Sequence, residues 1–442
     1  MTASTIPGIT TRAIRPASIV LFWLPLAATW FMMGCEGPYI AAIVARMPAA
    51  ESSLAAFGVA TALAWLIESP IMMLFSAATA LVHGRDSYLA LRRFTNILNA
   101  AVTLAMVILS IPPLFRFVGV TLIGLPPEIS RMTHVALCIL IPWPAAIGYR
   151  RFYQGVLVRH HLTRRVAYGT VVRLTSMSVT AALLAFTTSL PGATLGAVAL
   201  IAGVITEALA SRWMARHVVR SVMESDEPPG SLLSLPDIAR FYYPLALTSV
   251  LSMALGPLVT FGLGRSRAPL ESLAVWPVLT SLVFLFRSGG VAFQEVGVAL
   301  IGTQRENDQA VSRTAVWIGV FASLALALVA LTPFEATWFE RVSGLTHGLT
   351  RFAVWPVRIM ILLPVTEYLL SIQRARLILV RGTRLITAAT AIETGGLAVA
   401  LFVLIGTFDL VGAVAGAIAM VFGRVAANAF LAFESAHAIR SL

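Results

Sequence analysis

The chain has 442 residues, 58% of them hydrophobic and only 12% charged, with apolar runs of roughly 20 or more residues recurring from end to end, each long enough to cross a bilayer as a helix. Its net charge of +12 rests on 32 basic residues, all of them arginine; without lysine there is no phosphate-binding P-loop and no ATPase motor of that kind. The arginines stand in short loops between apolar runs, where membrane topology places them, so the charge does not point to nucleic acid.

Cys35 and Cys138 both lie inside apolar runs and read as small core residues, and the histidines show no metal-ligand spacing. No cofactor is expected, and no paired His/Asp or metal motif suggests an enzyme. Arg12 and Arg15 precede a run too long for a signal peptide, which reads as a first transmembrane helix.

Hydropathy predicts twelve spans, at 18–44, 53–82, 93–119, 130–158, 166–189, 192–217, 238–263, 271–301, 311–332, 351–380, 384–405 and 408–437. Arginines cluster after the even-numbered spans: Arg85, Arg92 and Arg93 after span two, Arg159, Arg164 and Arg165 after span four, Arg212, Arg216 and Arg220 after span six. Arginine excess marks the cytoplasmic face, so both termini are expected there, in a bacterial-type inner (plasma) membrane. The one long hydrophilic connection carries Pro-Pro-Gly and mixed charge and reads as a flexible linker. It divides the chain into a lobe at 1–220, a linker at 221–236 and a lobe at 237–442.

The two lobes are repeats. Moved forward by 219 positions, Leu24–Leu81 lies without a gap over Tyr243–Leu300: Pro25-Leu26-Ala27 meets Pro244-Leu245-Ala246, Gly37-Pro38 meets Gly256-Pro257, and Thr61 meets Thr280. With a shift of 220, Pro144 meets Pro364, Arg164 meets Arg384 and Gly203 meets Gly423. Six spans per copy make both copies enter the membrane from the same side, so the pseudo-two-fold axis runs along the membrane normal, as in parallel-repeat transporters. Two equivalent pairs carry opposite charge: Glu68 falls on Arg287, and Arg173 on Glu393.

Six plus six spans, a proline in the first helix of each half, and G-A-x-x-G-A from Gly192 and again from Gly412 resemble the MATE-like multidrug/oligosaccharide-lipid/polysaccharide (MOP) exporter superfamily. Leu24–Thr29, Gly34-Cys35-Glu36, Phe57–Leu63 before Ser69-Pro70, and Tyr242–Leu247 look most similar to its progressive ankylosis (ANK) branch. The resemblance implies an all-α protein of two six-helix lobes around a central cleft. Members of the superfamily export drugs, flip lipid-linked sugars or, in the ANK branch, release organic anions.

Charges in mid-span are costly in lipid and should face a cavity or a partner. Glu36 in span one and Glu68 in span two are the candidates for the coupling H+ or Na+. Thr29, Arg150, Arg151, Arg287, Gln294, Glu295 and Glu367 are the candidates for the substrate cavity, and Glu68 with Arg287 for a gate between the lobes. Set against these, Arg150, Arg151 and Arg173 could snorkel to headgroups, Glu207 and Arg424 could brace neighbouring helices, and Glu367 and Glu393 could be buried inside a lobe. The expected activity is secondary active export of a small organic anion or amphiphilic solute by a monomer, with a lipid or lipid-linked-glycan flippase and a multidrug cation antiporter as alternatives.

Overall fold

The computed structural model describes residues 14–44, 47, 49–123, 125–225, 234–302, 306–343, 345 and 347–440. They form an almost entirely helical membrane protein. Eleven helices are long and apolar enough to cross a bilayer, and a bent pair supplies the twelfth.

Prolines set where the spans break. Span two runs Ala50–Glu68, narrows to a 3-10 turn at Ser69–Ile71 and resumes at Leu74–Leu81; Pro70 has no N–H to donate and its ring crowds the preceding turn. Spans four and ten break alike, into Pro127–Ile139 and Trp143–Arg159, and into His347–Ile359 and Leu363–Leu379, with Pro144 and Pro364 just beyond each break. Spans one, five, seven, eight and eleven are continuous: Pro16–Val44, Thr163–Thr187, Leu235–Leu263, Pro269–Leu300 and Thr383–Gly406.

Span three departs from the expected 93–119. It starts at Arg85, ends at Leu109 and turns by 72° into Pro112–Thr121, because Pro112 and Pro113 deprive the last turn of its donors. Span nine, Asp308–Ala330, is likewise followed by a short helix at Phe334–Ala336. Span six, Gly192–Glu224, runs seven residues past its expected end into the expected linker, and span twelve covers Gly412–Arg440. The linker at 226–233 lies outside the described residues.

The G-A-x-x-G-A stretches pack span six on spans one and two, with Gly196 against Val44 and Phe57, and span twelve on spans seven and eight, with Gly416 against Leu263 and Trp276. A glycine further along each helix brings spans five and six, and eleven and twelve, together. A Cβ on Gly203 would lie 3.0 Å from the Arg173 carbonyl, and one on Gly423 would lie 2.5 Å from the Glu393 carbonyl. The repeat-equivalent residues 173 and 393 are thus held against the same point of the neighbouring helix in both lobes.

The apolar core is not symmetric from end to end. At the end where the linker attaches, one core runs unbroken from the first lobe into the second, through Ile19, Leu74, Leu81, Tyr242, Phe293, Val296 and Leu300. At the opposite end the second lobe has a separate core around Leu263, Leu279, Leu326, Phe339 and Ala413. The lobes therefore close on each other at the linker end and part towards the other. Span one follows span eight as far as Gly34, whose backbone lies against the Phe284 ring.

Candidate functional site

Each lobe holds a buried charge network, and the two are inverted in sign. In the first lobe, Glu207 of span six sits between two arginines: Arg150 of span four at 2.6 Å and Arg173 of span five at 3.4 Å. Arg173 also grips Glu36 of span one with two bonds of 2.8 and 2.6 Å. In the second lobe, Arg424 of span twelve sits between two carboxylates: Glu367 of span ten at 2.9 Å and Glu393 of span eleven at 2.9 Å. Arg287 of span eight completes it, 2.7 Å from Glu367, and Arg374 lies 3.9 Å from Glu393.

An Arg–Glu–Arg triad therefore faces a Glu–Arg–Glu triad on equivalent helices. Residues 173 and 393 are repeat-equivalent, and the other two members of each triad are offset by one helical turn. Each triad taken alone carries one unbalanced charge, and an interlobe helix brings one of opposite sign: Glu36 from span one for the first, Arg287 from span eight for the second. Low dielectric strengthens these pairs, and it makes the loss of any one partner costly.

Arg150, Arg151 and Arg173 are 1%, 3% and 2% exposed, so none of the three snorkels. Arg150 is spent on Glu207 and reaches no cleft. Arg151 lies over the rings of Trp30 and Phe75 at 5.2 and 5.8 Å, with Met72 Sδ at 3.7 Å. The Thr29 hydroxyl donates to the Pro25 carbonyl in its own helix. Glu207 and Arg424, expected as braces, are the centres of the triads.

The expected gate pair is not formed. Glu68 accepts a hydrogen bond from Trp143 Nε1, and Arg287 binds Glu367, each within its own lobe. The repeat fixes both residues at one depth. It does not give the second lobe's counterpart of Trp143 or the first lobe's counterpart of Glu367, whose repeat position is Ile147. Each charge therefore turns to the partner its own lobe supplies.

The lobes meet instead through contacts that sequence reading missed. Trp23 Nε1 donates to the Gly289 carbonyl at 2.8 Å, and Tyr242 Oη donates to the Pro70 carbonyl at 2.5 Å. Under the 219-residue shift, Trp23 becomes Tyr242 and Pro70 becomes Gly289, so the two bonds are one bond written twice. Between them, Ser76 Oγ donates to Glu295 Oε1 at 2.6 Å. Ser76 and Glu295 are themselves equivalent under the shift. A residue can touch its own counterpart only beside the pseudo-two-fold axis, and this contact locates it. Gln294 Nε2 donates to Ser76 Oγ at 2.8 Å. Part of the signal was in the repeat: Pro70 with Gly289 and Ser76 with Glu295 fall within the matched stretch, Trp23 and Tyr242 one position before it, and the match does not say which residues touch.

No family model matches the sequence, and no curated protein matches it significantly. Solved structures do match. A MATE transporter crystallised in complex with MaL6 aligns at TM-score 0.77 and 15% identity over 99% of this chain and 100% of its own. A multidrug resistance MATE family transporter of the MOP superfamily, in an outward-facing conformation, aligns at TM-score 0.71 and 15% identity over 96% of this chain and 95% of its own. A MOP superfamily transporter from Pyrococcus furiosus, described as having a binding pocket of reverse polarity, aligns at TM-score 0.76 and 14% identity over 98% of both chains. At such identity the likeness is one of fold, and the fold is that of the MATE transporters: twelve membrane helices in two lobes related by a pseudo-two-fold axis.

Proposed function

We propose that the chain is a secondary active exporter that works by alternating access, moves a small organic anion or amphiphilic solute, and is driven by H+ or Na+. The observation that carries the reading is the division of the molecule into two lobes, each with its own charge network, joined at one end by a shared apolar core and a few directional hydrogen bonds. Such bodies can rock without unpairing a buried charge, because no ion pair among the described residues crosses from lobe to lobe. Arginine excess on the linker side supports cytoplasmic termini in an inner membrane, with lobes 1–220 and 237–442. The closed end is then cytoplasmic and the cleft opens outward.

The preference for an anion rests on Arg287. It is the most exposed member of the two networks, with 21% of its side chain accessible against 8% or less for the carboxylates. The likeness of Leu24–Thr29 and Tyr242–Leu247 to the ANK branch points the same way. Glu68 is the stronger seat for the coupling ion. It is buried and, among the described residues, takes its hydrogen bond from Trp143 alone, whereas Glu36 is held by two donors of Arg173.

The test is counterflow in proteoliposomes. Labelled organic anions should exchange, a pH or Na+ gradient should drive them, and Glu68→Gln should retain exchange while losing the gradient dependence. Arg287→Gln should lower anion uptake at least tenfold. Scrambling of fluorescent lipid without solute exchange would make the protein a flippase, and exchange of organic cations alone would overturn the anion assignment.

A further inference from the structure

The contact on the axis joins the lobes through a carboxyl group. Glu295 is 6% exposed. Its Oε1 takes the hydrogen of Ser76, while its Oε2 is buried without a hydrogen-bond partner. Among the described residues no arginine lies within ion-pair distance of it.

Most charged groups on the elements around it hold partners elsewhere. Arg151 of span four lies over aromatic rings, beyond ion-pair distance of Glu295, and acts on it only through its field. On span ten, Glu367 is paired with Arg287 and Arg424, and Arg376 with Asp308 of span nine. On span seven, Tyr242 donates to Pro70. Arg15 just before span one is exposed, Glu36 of span one is held by Arg173, and the half of span two that packs here, Leu74–Leu81, has no ionisable residue.

An ionised Glu295 would leave a bare carboxylate oxygen in a dry contact, with one neutral hydroxyl on it and the Arg151 guanidinium beyond ion-pair distance. The neutral acid keeps the Ser76 bond and leaves one uncharged O–H unpaired, a far smaller cost. Parting of the lobes at this end would admit water to the same carboxyl and favour its ionised form.

We infer that Glu295 is a proton-binding site of the lobe contact: it takes a proton from the linker-side solution when the lobes close there and returns it when they part. The inference rests on the rocking of the two lobes proposed above. It assigns Glu295 to the closing contact rather than to the substrate, and it makes the pH on the linker side set the balance between the two conformations. One proton per closure changes the closed-to-open ratio by up to about tenfold per pH unit, with acid favouring closure.

Spin labels at Arg164→Cys and Arg384→Cys report the contact. Both are exposed, repeat-equivalent positions at the linker end, one on each lobe. With Cys35 and Cys138 replaced by serine, dipolar distances are measured in lipid nanodiscs from about pH 5 to pH 9, a window that spans carboxyl groups raised by burial. The short distance should dominate in acid and give way to a longer one as pH rises. Glu295→Gln should remain closed throughout. Ser76→Ala should move the midpoint to lower pH while keeping the pH response, because the neutral acid loses its Ser76 bond in the closed state.

An unchanged pH response in Glu295→Gln, a midpoint moved upward by Ser76→Ala, or a wild-type distance that responds to substrate but not to pH would overturn the assignment. A distance that no substrate, gradient or pH alters would instead overturn the rocking mechanism.

Discussion

A mid-membrane charge is legible from sequence because lipid makes it expensive, and the buried glutamates and arginines of both triads stand out on that ground. Their partners are not legible. Glu68 and Arg287 share a depth, yet Arg287 turns to Glu367 at 2.7 Å and Glu68 to Trp143, since periodicity gives a residue's height and not which neighbour lies nearest. The consequence is testable by exchange. Glu68→Arg with Arg287→Glu would set a carboxylate against Glu367 and place a cation in a pocket with Arg150, Arg151 and Arg173. The double exchange should therefore transport less than Arg287→Gln alone. Recovery of activity in counterflow would show that the two side chains do meet in another conformation.

At the level of helices, prolines and small residues carried most of the information. Pro144 and Pro364 mark equivalent breaks, and the repeated glycines Gly203 and Gly423 mark close backbone contacts between neighbouring helices. The bend after Leu109 was not legible, because the apolar run continues through it and hydropathy does not register direction. The packing of span twelve on span eleven gives a second expectation. A Cβ at Gly423 would lie 2.5 Å from the Glu393 carbonyl, on backbone that cannot swing aside. Gly423→Ala should cost about 1–3 kcal/mol by overpacking and lower the melting temperature in detergent. Gly348→Ala, where a Cβ meets nothing within 4 Å, should not.

For the whole molecule, the repeat foretold two lobes and the direction of their axis. It could not say which end is closed, because that depends on which of two packings of the same surfaces is populated. The contact of Ser76 with Glu295 has a further consequence, for assembly. A pseudo-two-fold axis would serve equally well for two copies of one half, except at the point where each residue meets its own counterpart. Two second halves would bring Glu295 against Glu295, a pair that repels unless a proton is shared. Two first halves would bring only Ser76 against Ser76. If the gene is severed within 226–233 and the pieces are produced together, each half should select the other over its twin. Tagged second halves should draw down first halves and not untagged second halves, and Glu295→Ser should relax that choice.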